Sequence, residues 1–220
     1  MEARSDQSFA LKKRVIVLVF ACLLIVGFTF LGGVCMRVES LWVKIFLLAG
    51  ANLCNGAVAL VAMRITGIKA DVDFKNLRQF LIGAIIALGL SLLIAFVPAL
   101  CGFSLVGEHK KFTWFGLVYN LLNYFLIIGP VEELIFRVYV QETMISFFPK
   151  RPIVGVILAA VTFGLFHLIN GSIVQVFFTF GIGLVFGICK YRIKNCKYLG
   201  VSFGHGLYDF LNEIVRLFVV

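Results

Sequence analysis

Long apolar runs follow one another along this chain of 220 residues, with only short polar loops between them. They fall at 15–34, 41–63, 77–97, 112–148, 153–169, 173–189 and 199–220. About 20 apolar residues at roughly 1.5 Å rise each span the hydrocarbon of a bilayer. No water in that layer can satisfy a peptide group, so each run must satisfy its own backbone, which a helix does. The hydrophobic share, 61%, exceeds the roughly 45–50% of a soluble domain, and the charged share, 14%, falls short of about 25%. The expected architecture is all-α. It is a polytopic membrane bundle of about seven helices around a membrane-embedded polar cavity. A basic cytoplasmic tail, 1–14, precedes a single membrane domain, 15–220. The first run follows Lys12-Lys13-Arg14 as a signal peptide would, but it is long and lacks a small-residue cleavage site.

The net charge of +9 is not a nucleic-acid signature, because the basic residues sit in short loops between apolar runs. With the N-terminus inside, fourteen lysines and arginines fall on the cytoplasmic side and five outside. That asymmetry orients the chain in a plasma membrane, N-terminus cytoplasmic. The six cysteines show neither metal-knuckle nor CxxC spacing and read as packing residues.

The fourth run is the unusual one. Its 37 residues would make a straight helix of about 55 Å, so a kink is expected at Gly129-Pro130. It carries Glu132, Glu133 and Arg137 inside apolar sequence. An ionisable group in the bilayer costs several kcal/mol and marks a functional site by default. Glu133 and Arg137, four apart, can pair on one helical face. Glu132 points about 100° away and is left as a second carboxylate. An ion pair locking two helices explains Glu133 and Arg137 equally well, but it leaves Glu132 unexplained. Two of the three histidines, His167 and His205, also lie in apolar runs. His205, Asp209 and Asn212 form one polar face at i, i+4 and i+7. Interhelical polar glue is the plain alternative for both histidines. His109, in a loop, carries no functional weight, and Asn120 and Asn123 read as polar contacts.

Two chemistries suit glutamates and histidines together. Glu132, His167 and His205 could ligate zinc, which activates water. A carboxylate in an apolar pocket can instead take a proton from water, with hydrogen-bond donors facing the oxyanion. The helical zinc-protease signal HExxH is absent, and the route without a cofactor is preferred.

Three short motifs carry a resemblance. Glu132-Glu133 with Arg137 fits EExxxR, Phe163 with His167 fits FxxxH, and His205 with Asp209 fits HxxxN or HxxxD. Over residues 112–212 the chain resembles the CAAX protease and bacteriocin-processing family, the intramembrane glutamic endopeptidases similar to type II CAAX prenyl endopeptidases. The resemblance implies that Glu132 activates water with help from His167. It implies that His205 and Asp209 face the oxyanion, and that Glu133, Arg137 and Phe163 support them. Where the motif has asparagine, Asp209 donates only when protonated, and Asn212 is the other candidate donor. The implied function is hydrolysis of a peptide or membrane-protein substrate in a bacterial plasma membrane, with the bilayer as the other partner. The competing function is a non-catalytic bacteriocin-immunity or regulatory scaffold of the same fold. No inverted repeat points to a transporter.

Overall fold

The computed structural model describes residues 2–169 and 171–219, the side chains before residue 10 excepted. Met1, and Val220 at the end of the last expected span, lie outside the described residues. All regular structure among the described residues is helical. It comprises α1 (Glu2–Cys35), α2 (Leu41–Thr66), α3 (Arg78–Leu100), α4 (Trp114–Phe147), α5 (Pro152–Phe166), α6 (Ile173–Arg192) and α7 (Tyr198–Phe218). Each apolar run became one helix, as the backbone requirement demands. Apolar side chains such as Phe20, Phe46, Leu93 and Leu126 stand exposed, as they must against lipid.

Five of the helices, α1 from Ala10, α2, α3, α4 and α6, are long and apolar enough to cross a membrane. This is a multi-pass membrane protein. The other two helices, α5 and α7, fall outside that measure. The 15 residues of α5 would reach only about 22 Å. The expected span 153–169 closes early because the chain turns at His167, ahead of the Asn170-Gly171-Ser172 punctuation. In α7 the length suffices, but polar groups on one face dilute its hydropathy, and His205 and Glu213 on that face are buried.

The third apolar run stops at Val97, before Pro98, yet α3 continues to Leu100. Around Pro130, α4 stays helical. Both prolines follow a five-residue π-helical stretch, Leu92–Phe96 and Tyr124–Ile128, and stand two residues beyond its end. Proline lacks an N–H and its ring collides with the carbonyl four residues back. A wider turn at that point relieves both conflicts without ending the helix. A second π-helical stretch in α4 covers Leu134–Val140.

The chain forms two compact units. The first comprises Met1–Ala70 and Leu134–Tyr191. Here α1 and α2 pack together, and Asn55 Nδ2 donates to Thr29 Oγ1 at 3.0 Å. Glycines bring the other helices into backbone contact. A Cβ on Gly155 would lie 2.5 Å from the Ile145 nitrogen, and one on Gly164 2.8 Å from the Val176 oxygen.

The second unit comprises Asp71–Glu133 and Arg192–Val220. In it α3 and the first part of α4 pack on α7. Gly83 and Gly200 meet where α3 crosses α7, so close that a Cβ on Gly83 would overlap the Gly200 carbonyl. Lys197 gives α7 no side-chain cap. The fully buried Gln79 of α3 takes that role, its Oε1 accepting from Gly200 N–H at 3.1 Å. This satisfies one of the orphan donors of the first turn. Outside the helix, Lys197 Nζ meets Asp71 and Asp73 at 3.2 and 3.3 Å.

Candidate active site

The site in the second unit begins with a close approach of backbones. A Cβ on Gly129 of α4 would stand 2.6 Å from the Ser202 oxygen of α7, and one on Gly206 2.8 Å from the Tyr124 oxygen. Only glycine at both positions lets the two helices touch there. Tyr198 fastens the same crossing, its hydroxyl donating to the Pro130 carbonyl at 2.9 Å. One turn beyond Gly129, Glu132 and Glu133 are thereby set against His205, the residue before Gly206.

The two glutamates are not equivalent. Glu133 is fully buried, and its Oε1 lies 2.8 Å from His205 Nδ1, which donates to it. Glu132 keeps 14% of its side chain exposed, and its Oε2 is 3.7 Å from His205 Nε2. Asp209, one turn along α7, brings Oδ2 to 3.5 Å from the same Nε2 and is 23% exposed. One imidazole thus stands among three carboxylates. The sequence spacing could not reveal His205, 72 residues away from Glu133.

With Nδ1–H donated to Glu133, Nε2 faces the Glu132 and Asp209 carboxyls. A proton held between Nε2 and Asp209 would keep a lone pair from facing a carboxylate. On Asp209, that proton would make the side chain a donor, as an asparagine would be. Asn212 sits beside Tyr208.

In the first unit stand the other residues singled out in the sequence. His167 is the C-cap of α5 and not an interior residue of a span. Its Nδ1 is 2.9 Å from the Phe163 oxygen. A carbonyl only accepts, so Nδ1 carries a proton, and Nε2 is the nitrogen left for another partner. The Phe163 ring packs edge-on against the imidazole, centroids 4.6 Å apart. Arg137, fully buried, holds its guanidinium carbon 4.6 Å from the centre of the Phe163 ring. That contact is a cation–π pair. Gly183 leaves room for it, since a Cβ there would lie 2.7 Å from Phe163 Cδ1 and 3.1 Å from Arg137 Nη2.

Other polar residues escaped the sequence reading. Glu213, 3% exposed, receives Lys110 Nζ at 2.8 Å and Asn120 Nδ2 at 2.7 Å. Arg216 Nε donates to the Glu108 carbonyl, and Lys110 N–H to the Arg216 carbonyl. The 101–113 loop is tied in this way to the last turns of α7. Glu213 continues the polar stripe of His205, Asp209 and Asn212, which was the available signal. Its partner Lys110 is 103 residues distant and left none. Among the described residues, no group of three or more His, Cys, Asp or Glu side chains is arranged to hold a metal ion.

Residues 114–211 match the protein family described as Type II CAAX prenyl endopeptidase Rce1-like. The matched stretch contains all three motifs. No curated protein and no solved structure matches the chain.

Proposed function

We propose that this chain, whose residues 114–211 match the Rce1-like family of type II CAAX prenyl endopeptidases, is an intramembrane endopeptidase using glutamate-activated water. The observation that carries this reading is the His205 imidazole held against Glu133, with Glu132 and Asp209 about its other nitrogen. Glu132 is the general base. It is the more exposed glutamate, and its distance from Nε2 exceeds a hydrogen bond, so it can accept a proton from water. His167, brought in by the FxxxH motif, assists with its Nε2. His205 and Asp209 face the oxyanion, and a proton held between them supplies the donor. Glu133 fixes the orientation of the His205 ring, and Phe163, packed under Arg137, that of the His167 ring.

The substrate is a peptide precursor or membrane protein, and the bilayer is the second partner. The enzyme lies in a bacterial plasma membrane with its N-terminus in the cytoplasm. Its chemistry draws on no cofactor, so purified protein keeps its turnover in strong chelators. Zinc lost together with activity would assign Glu132, His167 and His205 to a metal instead. The deciding experiment is comparative peptidomics of wild-type cells against Glu132→Ala. Substrate-length peptides accumulate in the variant if the chain is a protease. Identical peptide profiles, with the variant present at wild-type level, would favour the non-catalytic scaffold.

A further inference from the structure

Two short segments of the second unit meet where α3 and α7 begin. They are residues 71–78, which lead into α3, and 192–197, which lead into α7. Two contacts tie them together. Lys197 Nζ lies 3.2 Å from Asp71 and 3.3 Å from Asp73, and Asn76 Nδ2 donates to the Asn195 carbonyl at 3.4 Å. The second contact joins the neighbourhoods of Lys75 and Lys194, which precede Asn76 and Asn195 in the chain.

The charge on these segments is one-sided. Five cations, Lys75, Arg78, Arg192, Lys194 and Lys197, stand against two carboxylates, Asp71 and Asp73. Lys197 already engages both carboxylates. Lys75, Arg78 and Lys194 are exposed, and among the described residues their side chains make no hydrogen bond or ion pair. Apolar side chains stand out between them. Phe74 is 75% and Leu77 73% exposed, and Val72 and Ile193 are exposed as well. In bulk water Phe74 and Leu77 would go unburied, and in hydrocarbon the cations would lose their hydration. The layer that suits both is the headgroup region, where aromatic rings anchor and basic side chains reach phosphates. The segment lies at that level, because α3, long and apolar enough to cross a membrane, begins at Arg78.

We propose that this surface docks the headgroup of an anionic phospholipid. Lys75, Arg78 and Lys194 pair with its phosphate oxygens, and Phe74 and Leu77 rest among the upper parts of the acyl chains. Lys197 has a separate task, since it neutralises Asp71 and Asp73, which would otherwise repel the same lipid. An acidic protein segment could satisfy the cations but would leave Val72, Phe74 and Leu77 without an apolar neighbour, and this favours lipid. The surface uses none of the residues of the endopeptidase reading, and residues 71–78 lie outside the stretch that matches the family.

The test uses the full-length Phe74→Trp protein in phosphatidylcholine vesicles. Rising fractions of phosphatidylglycerol or phosphatidylcholine, each brominated near the headgroup end of its acyl chain, are added. Bromine quenches the introduced indole on contact, and the parent with Phe74 gives the background from Trp42 and Trp114. A single cation at a membrane surface favours anionic lipid by about fivefold. At about 0.1 M salt, half-quenching should therefore need at least about 5-fold less brominated phosphatidylglycerol than phosphatidylcholine, and the advantage should vanish near 1 M, where the screening length falls from about 10 Å to about 3 Å. Adding Lys75→Gln, Arg78→Gln and Lys194→Gln should also abolish the advantage, while both lipids still quench. If Phe74→Trp does not accumulate, Leu77→Trp carries the indole instead. Equal quenching by the two lipids before those substitutions would show a surface that meets acyl chains without reading charge, and would overturn the proposal. An anionic preference that survives the three substitutions would overturn it too, since other groups would then hold the headgroup. No quenching by either lipid, with full quenching by acrylamide in the water, would place the segment outside the membrane and overturn lipid in favour of an acidic protein partner.

Discussion

Replacing Glu133 with glutamine isolates the charge at the buried end of the site. The carboxylate is fully buried and accepts from His205 Nδ1 at 2.8 Å. A hydrogen bond to an ionised group contributes about 1.5–3 kcal/mol, and a neutral one about 0.5–1.5 kcal/mol. The amide oxygen can keep the bond, so the swap loses about 1–1.5 kcal/mol there. The new NH₂ enters a dry position, and a buried donor without an acceptor costs about 1–3 kcal/mol. The total, about 2–4 kcal/mol, approaches the roughly 3–5 kcal/mol seen when one partner of a buried pair is removed. At about 2–4 °C per kcal/mol for a chain of this length, the unfolding midpoint should fall by roughly 4–16 °C. Glu132→Gln removes no hydrogen bond to His205, the separation being 3.7 Å, and should cost less stability than Glu133→Gln does. Its turnover should fall by about 10²–10⁴-fold, the loss typical of a missing general base. The assay is the midpoint of purified protein in one detergent, beside turnover per folded molecule. A Glu133→Gln variant that is as stable as wild type but inactive, with Glu132→Gln still turning over, would show the two roles to be exchanged. If both variants keep full turnover, neither carboxylate is part of a protease site.

The remaining predictions concern packing, loop electrostatics and orientation. Gly206→Ala puts a methyl 2.8 Å from the Tyr124 oxygen and should lower stability by about 1–3 kcal/mol. Gly181→Ala, which meets nothing within 4 Å, should not, and equal midpoints for the two would refute the crossing. In the loop, the Lys197 hydrogen bond holds the Asp73 pKa below its usual value, while Asp71 and then Asp73 hold that of Lys197 above its own. A depressed carboxylate stabilises above its unfolded pKa, about 3.9, and loses this as pH falls through the folded value. A raised lysine stabilises below about 10.4 and loses this as pH rises through the folded value. The midpoint difference between wild type and Lys197→Ala should therefore be flat from about pH 5 to 9 and shrink below about pH 4; a steady slope across neutral pH would contradict the pairing. Reporter fusions should place the N-terminus in the cytoplasm and the C-terminus outside. Both ends on one side would refute that orientation.

The helices were legible in the sequence because their cause is local. An apolar run of about 20 residues must satisfy its own backbone in lipid, and α2, α3 and α6 start within a residue of where their runs begin. The candidate residues were legible too, since charges and imidazoles stand out in apolar sequence. Tertiary structure alone decided which of them meet. Glu133 rather than Glu132 holds His205 because Gly129 and Gly206 set the register of two helices distant in the chain, and backbone contact has no periodicity to announce it. Whether a proline ends a helix was likewise undetermined by composition, and the π-helical stretches before Pro98 and Pro130 resolved it. Glu213 and Lys110 found each other across 103 residues for the same reason: burial of a charge fixes that a partner must come, and only packing fixes which.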